Sequence, residues 1–254
     1  MMLYICNSYR VNLANNSGLL RWMLVWQDTF LSLTYDRPPN FTGRRSMLLC
    51  RATSEPGLSY AESIFNVCII LLDDEENFGI GRKPTLQATL SCKSKLECIL
   101  QNAAPHLTSK TSCETLRHHL ERLALAIHVG YTISRLCRRY LANKSKVTRE
   151  HEELYLDCAC RAAEVVESFL GIHRLSATVC RSWAFVHNAV SCAILLRSLN
   201  SISLLQYRSQ HVERIIENLT TVLEKDNRES SWRDDDTNLR YFGPYARAVA
   251  ALKG

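Results

Sequence analysis

Leu19-Leu20-Arg21-Trp22-Met23-Leu24-Val25-Trp26-Gln27-Asp28-Thr29-Phe30-Leu31-Ser32-Leu33-Thr34-Tyr35-Asp36-Arg37-Pro38-Pro39 decides how this chain is read. Leu19, Trp22, Trp26, Phe30 and Leu33 recur three or four apart, which gathers them on one face of a helix. Ser17 is a cap for its start, and the two prolines after Arg37 forbid its continuation. Aromatic rings on that face give a buried helix with large side chains to pack. Asp28 is an acid inside an apolar helix and needs a partner. Arg37, just past the helix end, is the candidate.

Outward from this stretch, helical spacing continues through the chain. Residues 36–57 hold Pro38, Pro39, Gly43, Pro56 and Gly57 and read as an extended connection. Ser59-x-x-Glu62 is a capping box, followed by Ala61, Ile64, Phe65, Cys68, Leu71 and Leu72 on one face. Gly79-Ile80-Gly81 breaks the chain. Pro84 suits a helix first turn, and Cys92, Leu96, Ile99 and Ala103 follow until Pro105. Thr111-x-x-Glu114 is a second capping box, opening a long helix with Leu116, Leu120, Leu123, Ile127, Tyr131, Ile133, Leu136 and Tyr140. Thr148 caps the next, with Glu150, Glu152 and Glu153 in the favourable first turn. Its stripe runs Tyr155, Cys158, Ala162, Val165, Phe169, Ile172.

Val179 to Leu199 is apolar nearly all round and reads as the central helix, buried on most sides. His187 and Asn188 inside it read as a satisfied core histidine and amide. An amphipathic helix follows, with Val212, Ile215, Ile216, Leu219 and Val222. Then come a polar loop over 226–238 and a short helix from Gly243-Pro244 bearing Tyr245, Val249 and Leu252. No run alternates at period two long enough for a strand. The fold class is all-α, one domain over 1–254: the opening helix and its connection over 1–57, and a helical bundle over 58–254.

The 254 residues, 46% hydrophobic, suffice for a substantial core, and 9 Gly with 6 Pro are too few for an all-β protein of tight turns. No apolar span reaches membrane length, and Met1 to Ile5 lack the features of a signal peptide, so an intracellular protein is expected. Asn40-Phe41-Thr42 and Asn143-Lys144-Ser145 are then chance glycosylation motifs. The 11 cysteines, odd in number, sit mainly at helical spacing and read as buried thiols. Net charge is +6 and uneven: residues 81–180 hold 15 Lys and Arg against 9 Asp and Glu. The excess centres on Arg135, Arg138, Arg139, Lys144, Lys146 and Arg149, where cations complement a helix C-terminus or form a patch for nucleic acid or an acidic partner.

The opening stretch, a Trp-rich helix with a central Asp, then Leu-Ser-Leu and Arg-Pro-Pro, resembles the signature of the middle homology region of fungal zinc-cluster transcription factors. Gly commonly precedes Arg-Pro-Pro there; Asp36 stands here, and the usual Trp-Trp pair is reduced to Trp22. The distal stretch Ser182-Trp183-Ala184-Phe185-Val186-His187-Asn188-Ala189-Val190-Ser191 resembles the Trp-x-Phe-x-His-Asn-Ala helix of such regulators. Leu120-Glu121-Arg122-Leu123-Ala124-Leu125 and Pro244-Tyr245-Ala246-Arg247-Ala248 are similar too, so the resemblance covers about 18–254. It implies a nuclear regulatory domain working through intramolecular, ligand or partner contacts. Its partners would be the transcriptional machinery or its own DNA-binding module in a longer product, and a homodimer is compatible with it.

The family's six-cysteine zinc cluster has no counterpart in the sequence. Cys158-x-Cys160 points two ways on a helix, and His118, His119 and His151 read as helical surface residues without Cys partners at finger spacing. The expectation is no zinc, no cofactor, no catalytic residue and no specific DNA binding by this chain alone. Two other classes stay open. One is an all-α interaction scaffold unrelated to transcription. The other is a Mg²⁺-dependent terpenoid or prenyl-diphosphate enzyme, on the strength of Asp73-Asp74-Glu75-Glu76-Asn77, since clustered carboxylates hold Mg²⁺ against a diphosphate. Against the enzyme, the segment around Asn218 lacks the second metal motif, and Asp234-Asp235-Asp236 falls in a loop.

Overall fold

The computed structural model of the chain describes residues 16–35, 37, 40, 57–73, 84–141, 149–180, 182–200, 209–231 and 244–253. They form helices α1 (Asn16–Tyr35), α2 (Tyr60–Asp73), α3 (Leu86–Gln101), α4 (Pro105–Thr108), α5 (Leu116–Leu141), α6 (Arg149–Leu175), α7 (Ala177–Cys180), α8 (Trp183–Asn200), α9 (Ser209–Ser231) and α10 (Pro244–Lys253), with a 3-10 turn at Lys110–Ser112. Among the described residues the sole β pairing is an isolated parallel bridge between Leu58 and Ala103. The protein is all-α.

The Ser59–Glu62 capping box is present. Ser59 N–H donates to Glu62 Oε2 at 2.9 Å and Glu62 N–H to Ser59 Oγ at 3.3 Å. Two expected starts move. Pro84, expected in the first turn of α3, lies ahead of it, and Thr85 caps the helix, accepting from Ala88 N–H at 3.1 Å. Thr115 caps α5, accepting from His118 N–H at 3.1 Å, while Thr111 falls in the 3-10 turn. Serine and threonine favour that position because their hydroxyl satisfies an orphan amide. Pro105, expected to end a helix, opens the short α4, where its missing N–H costs nothing. Of the 36–57 connection, Arg37, Asn40 and Gly57 are described; Thr148 and Gly79 to Gly81 lie outside.

α5 and α6 form the antiparallel axis of the molecule. Tyr140 faces His151, Ser134 faces Cys158, Gly130 faces Val165 and Leu123 faces Gly171. The sum of paired residue numbers stays nearly constant along the pair, which is the mark of an antiparallel zip. Gly130 permits the closest approach, since a Cβ there would meet Val165 Cγ2 at 2.9 Å. The α6 stripe predicted from sequence is buried from Cys158 to Ile172, with Tyr155 half-buried. α2, α3 and α4 pack on α5, α8 packs on both helices of the pair and α9 on α6, and α10 lies against α8 and α9.

The central helix is α5, not the Val179–Leu199 segment. From Leu123 to Cys137 every residue except Ala126 is buried. The expected central segment is split into α7 and α8, and α8 brings Trp183 and Ile194 to the surface. Polar residues disguised α5 in the sequence: Thr132 Oγ1 donates to His128 C=O at 2.8 Å and Ser134 Oγ to Cys158 C=O at 3.4 Å, so these hydroxyls are satisfied inside the core.

Candidate functional site where α1 meets α5 and α8

The predicted face of α1 is buried at Trp26, Phe30 and Leu33, joined by Val25 on the neighbouring row; the side chains of Leu19 and Trp22 lie outside the described set. Asp28 has the predicted partner. Arg37 Nη2 donates to Asp28 Oδ1 at 3.0 Å, and Asn40 Nδ2 donates to the same oxygen at 3.0 Å. Two donors from the chain just past the helix thus fold it back over the last turns of α1. Backbone adds to this, with Arg37 N–H donating to Ser32 C=O at 3.2 Å. Thr29, also buried, donates its hydroxyl to Val25 C=O at 2.7 Å, within α1.

His128 of α5 lies at the centre of the inner side. Its ring centroid is 4.5 Å from Phe30, 5.5 Å from Phe185 and 6.2 Å from Trp26, and Trp26 in turn packs edge-on to Tyr60 at 6.5 Å. Burial among these rings pushes the imidazole down to about 4, so it is neutral at physiological pH. Its Nδ1 has no hydrogen-bond partner among the described residues, nor has Asn188 Oδ1. Sequence reasoning named Asn188 as a satisfied core amide; its carbonyl oxygen is buried without that partner. His128 was missed, because a histidine in an apolar run carries no spacing signal.

The outer side of the junction is built on His187. It is half-buried rather than core, with Tyr35, Trp183 and Tyr131 at centroid distances of 6.1, 5.9 and 6.3 Å and Ser191 Oγ 3.3 Å from Nε2. Trp183 donates its indole N–H to Tyr35 OH at 3.0 Å. Burial first, then the cations Arg135 and Arg138, push His187 down. These two arginines differ: Arg135 is buried, while Arg138 is exposed. The basic cluster is therefore not one surface patch, and its Lys144 and Lys146 lie outside the described residues.

The remaining sequence candidates are dispersed. Cys158 is buried and Cys160 exposed, pointing apart as expected. Cys68, Cys92, Cys137, Cys180 and Cys192 are buried too, while Cys98 is exposed and Cys113 intermediate; Cys6 and Cys50 lie outside. Burial pushes the Cys68, Cys137, Cys180 and Cys192 thiols up to about 12, which leaves them protonated and poorly nucleophilic. His151 is not a surface residue: it is buried, 3.0 Å from Tyr140 OH. His118 stacks on His106 at 4.3 Å, and His106 Nε2 lies 3.4 Å from buried Glu121, which Arg117 also holds. No group of three or more His, Cys, Asp or Glu side chains among the described residues is arranged to hold a metal ion. Asp73 is exposed at the end of α2; Asp74 to Asn77 and Asp234 to Asp236 lie outside the described residues. No described helix is long and apolar enough to cross a membrane.

No family model, curated protein or solved structure matches the chain.

Proposed function

We propose that this chain is the regulatory, middle-homology-type domain of a fungal zinc-cluster transcription regulator, acting in the nucleus through packing and partner contacts and not through catalysis. One observation supports it above all: two of the four stretches that carry the resemblance, about 150 positions apart, meet at one place. The signature helix α1 and the Trp183–Ser191 helix α8 touch through Tyr35 and Trp183, and both pack on His128. A pattern kept by two helices that pack on each other has a physical basis in that contact. The buried thiols held up near 12 are poor nucleophiles, which favours a non-catalytic role for them.

The test is to tether the whole chain to a heterologous DNA-binding module upstream of a reporter in a fungal host. The expected result is a several-fold change in reporter output, abolished by Trp26→Ala. Output equal to that of the DNA-binding module alone would overturn the proposal and leave an interaction scaffold unrelated to transcription.

A further inference from the structure

His128 of α5 is covered from two directions. Phe30 and Trp26 of α1 lie 4.5 and 6.2 Å from its ring centroid, and Phe185 of α8 lies 5.5 Å from it. The residue is 4% exposed, and its Nδ1 has no hydrogen-bond partner among the described residues. α1 carries a second such atom, since Ser32 Oγ is buried and has no hydrogen-bond partner among them either. A buried polar atom left unbonded costs free energy that water restores, so both atoms oppose the closed position of α1.

α1 is also separable from the core beneath it. Val25, Trp26, Phe30 and Leu33 form its buried side, while Leu24, Leu31 and Tyr35 are exposed. The α5–α6 axis is held by Ser134 with Cys158, Tyr140 with His151 and Gly130 against Val165, none of them from α1. A helix attached by one face, to an axis whose own contacts do not involve it, opens ahead of the whole chain.

Among the described residues no carboxylate faces His128 to hold a proton there. On α1, Asp28 lies on the row of Leu24, Leu31 and Tyr35 and pairs with Arg37 at 3.0 Å. α2 offers the ring of Tyr60, and its acid Glu62 is bonded to Ser59. On α3, Lys93 and Glu97 pair with Asp157 and Arg161 of α6, and Lys95 is exposed. Glu167, the α6 acid level with His128 along the zip, pairs with His211 at 3.0 Å. On α8 the titratable neighbour is His187, on the outer side of the junction. On α5 itself, Glu121 and Arg135 stand two turns away in either direction, and Arg117 holds Glu121 at 2.7 Å.

We propose that α1 is an acid-released lid, closed over His128 while the imidazole is neutral and lifted from α5 and α8 as that ring takes up one proton. The closed position refuses the proton, because burial among the rings holds His128 down at about 4. Once α1 lifts, the ring meets water and titrates near its ordinary 6.5. Above 6.5 the closed position is fully favoured. Between 6.5 and 4 each unit of pH shifts the balance about tenfold toward opening, and below 4 the dependence levels off. The inference is independent of the transcriptional reading, since it rests on the packing of α1 alone.

The test is amide hydrogen–deuterium exchange of the full chain at pH 7.5 and 5.0, corrected for the pH dependence of the exchange chemistry itself. Protection of the α1 amides from Trp26 to Leu33 is expected to fall on the order of thirtyfold between the two, one and a half units below 6.5. At both pH values it should stay on the order of tenfold or more below that of the core amides from Ile133 to Cys137 and Cys158 to Phe169. His128→Leu should hold α1 near its pH 7.5 protection. Should that variant not fold, His187→Gln carries the test, since it must keep most of the fall. Protection of α1 that ignores pH, or equals that of the core amides, would overturn the proposal; the second result means that only the whole chain opens. So would a fall that persists in His128→Leu or vanishes in His187→Gln.

Discussion

Arg37 donates to Asp28 at 3.0 Å across nine positions, from the chain past α1 back onto its exposed row. The carboxylate is 16% exposed and the guanidinium 35%. A single partly buried pair whose cation is a third exposed contributes little, so Asp28→Ala should cost about 1 kcal/mol or less at low salt. Urea denaturation at low and at 1 M salt checks this, with the difference from wild type shrinking at high salt. A loss several times larger would mean that Asp28 organises more of the chain than α1 and the two residues described beyond it.

Trp26 is a heavier fixture. Its ring is buried against His128 and Tyr60, and truncation opens a cavity at the junction of α1, α2 and α5. Trp26→Ala should cost about 3–5 kcal/mol. An unchanged denaturation midpoint would show that the aromatic face of α1 is not core.

The contrast between Trp26 and His128 shows where sequence reasoning reaches and where it stops. Trp26, Phe30 and Leu33 were legible because a 3.6-residue period needs only local spacing. The Asp28–Arg37 pair was legible because a lone acid in an apolar helix demands a cation, and Arg37 was near in sequence. His128 was not, since its surroundings come from α1 and α8, each far from it along the chain. The same non-locality hid the centrality of α5: its Thr132 and Ser134 lower its apparent hydrophobicity, yet they bond to backbone carbonyls in α5 and α6. His151 was misplaced because only the α5–α6 zip brings Tyr140 to it. Helix starts shifted because Thr85 and Thr115 compete with nearby residues for the same capping role, and spacing alone does not choose between them.

Gly130 should tolerate no side chain without loss. Its Cβ position lies 2.9 Å from Val165 Cγ2 and 3.4 Å from Arg161 C=O, so Gly130→Ala must displace α6 or turn Val165. Alanine's better helix propensity, about 1 kcal/mol over glycine, offsets part of the strain. Overpacking of about 1–3 kcal/mol leaves a net loss of about 1 kcal/mol. Thermal denaturation of Gly130→Ala alone and with Val165→Ala checks it, the second change restoring the α5–α6 approach while leaving its own cavity cost.

His128 makes stability depend on pH in a defined window. Burial lowers the folded value to about 4, below the ordinary 6.5 of the unfolded chain. Above 6.5 both states are neutral at this site and its contribution is complete. As pH falls through the window from 6.5 to 4, the unfolded chain takes up the proton while the folded chain cannot, so stability declines, by about 3 kcal/mol at most from this residue. Below 4 both states are protonated and the dependence from this site levels off. His187, lowered by burial and the two arginines, adds in the same direction. His128→Leu removes the titrating group and the unpartnered Nδ1 while keeping comparable volume. It should therefore hold its neutral-pH stability within about 1.5 kcal/mol and flatten the profile between pH 6.5 and 4.5. Urea midpoints of both proteins at half-unit pH steps decide it: parallel profiles would place His128 in water rather than among Trp26, Phe30 and Phe185.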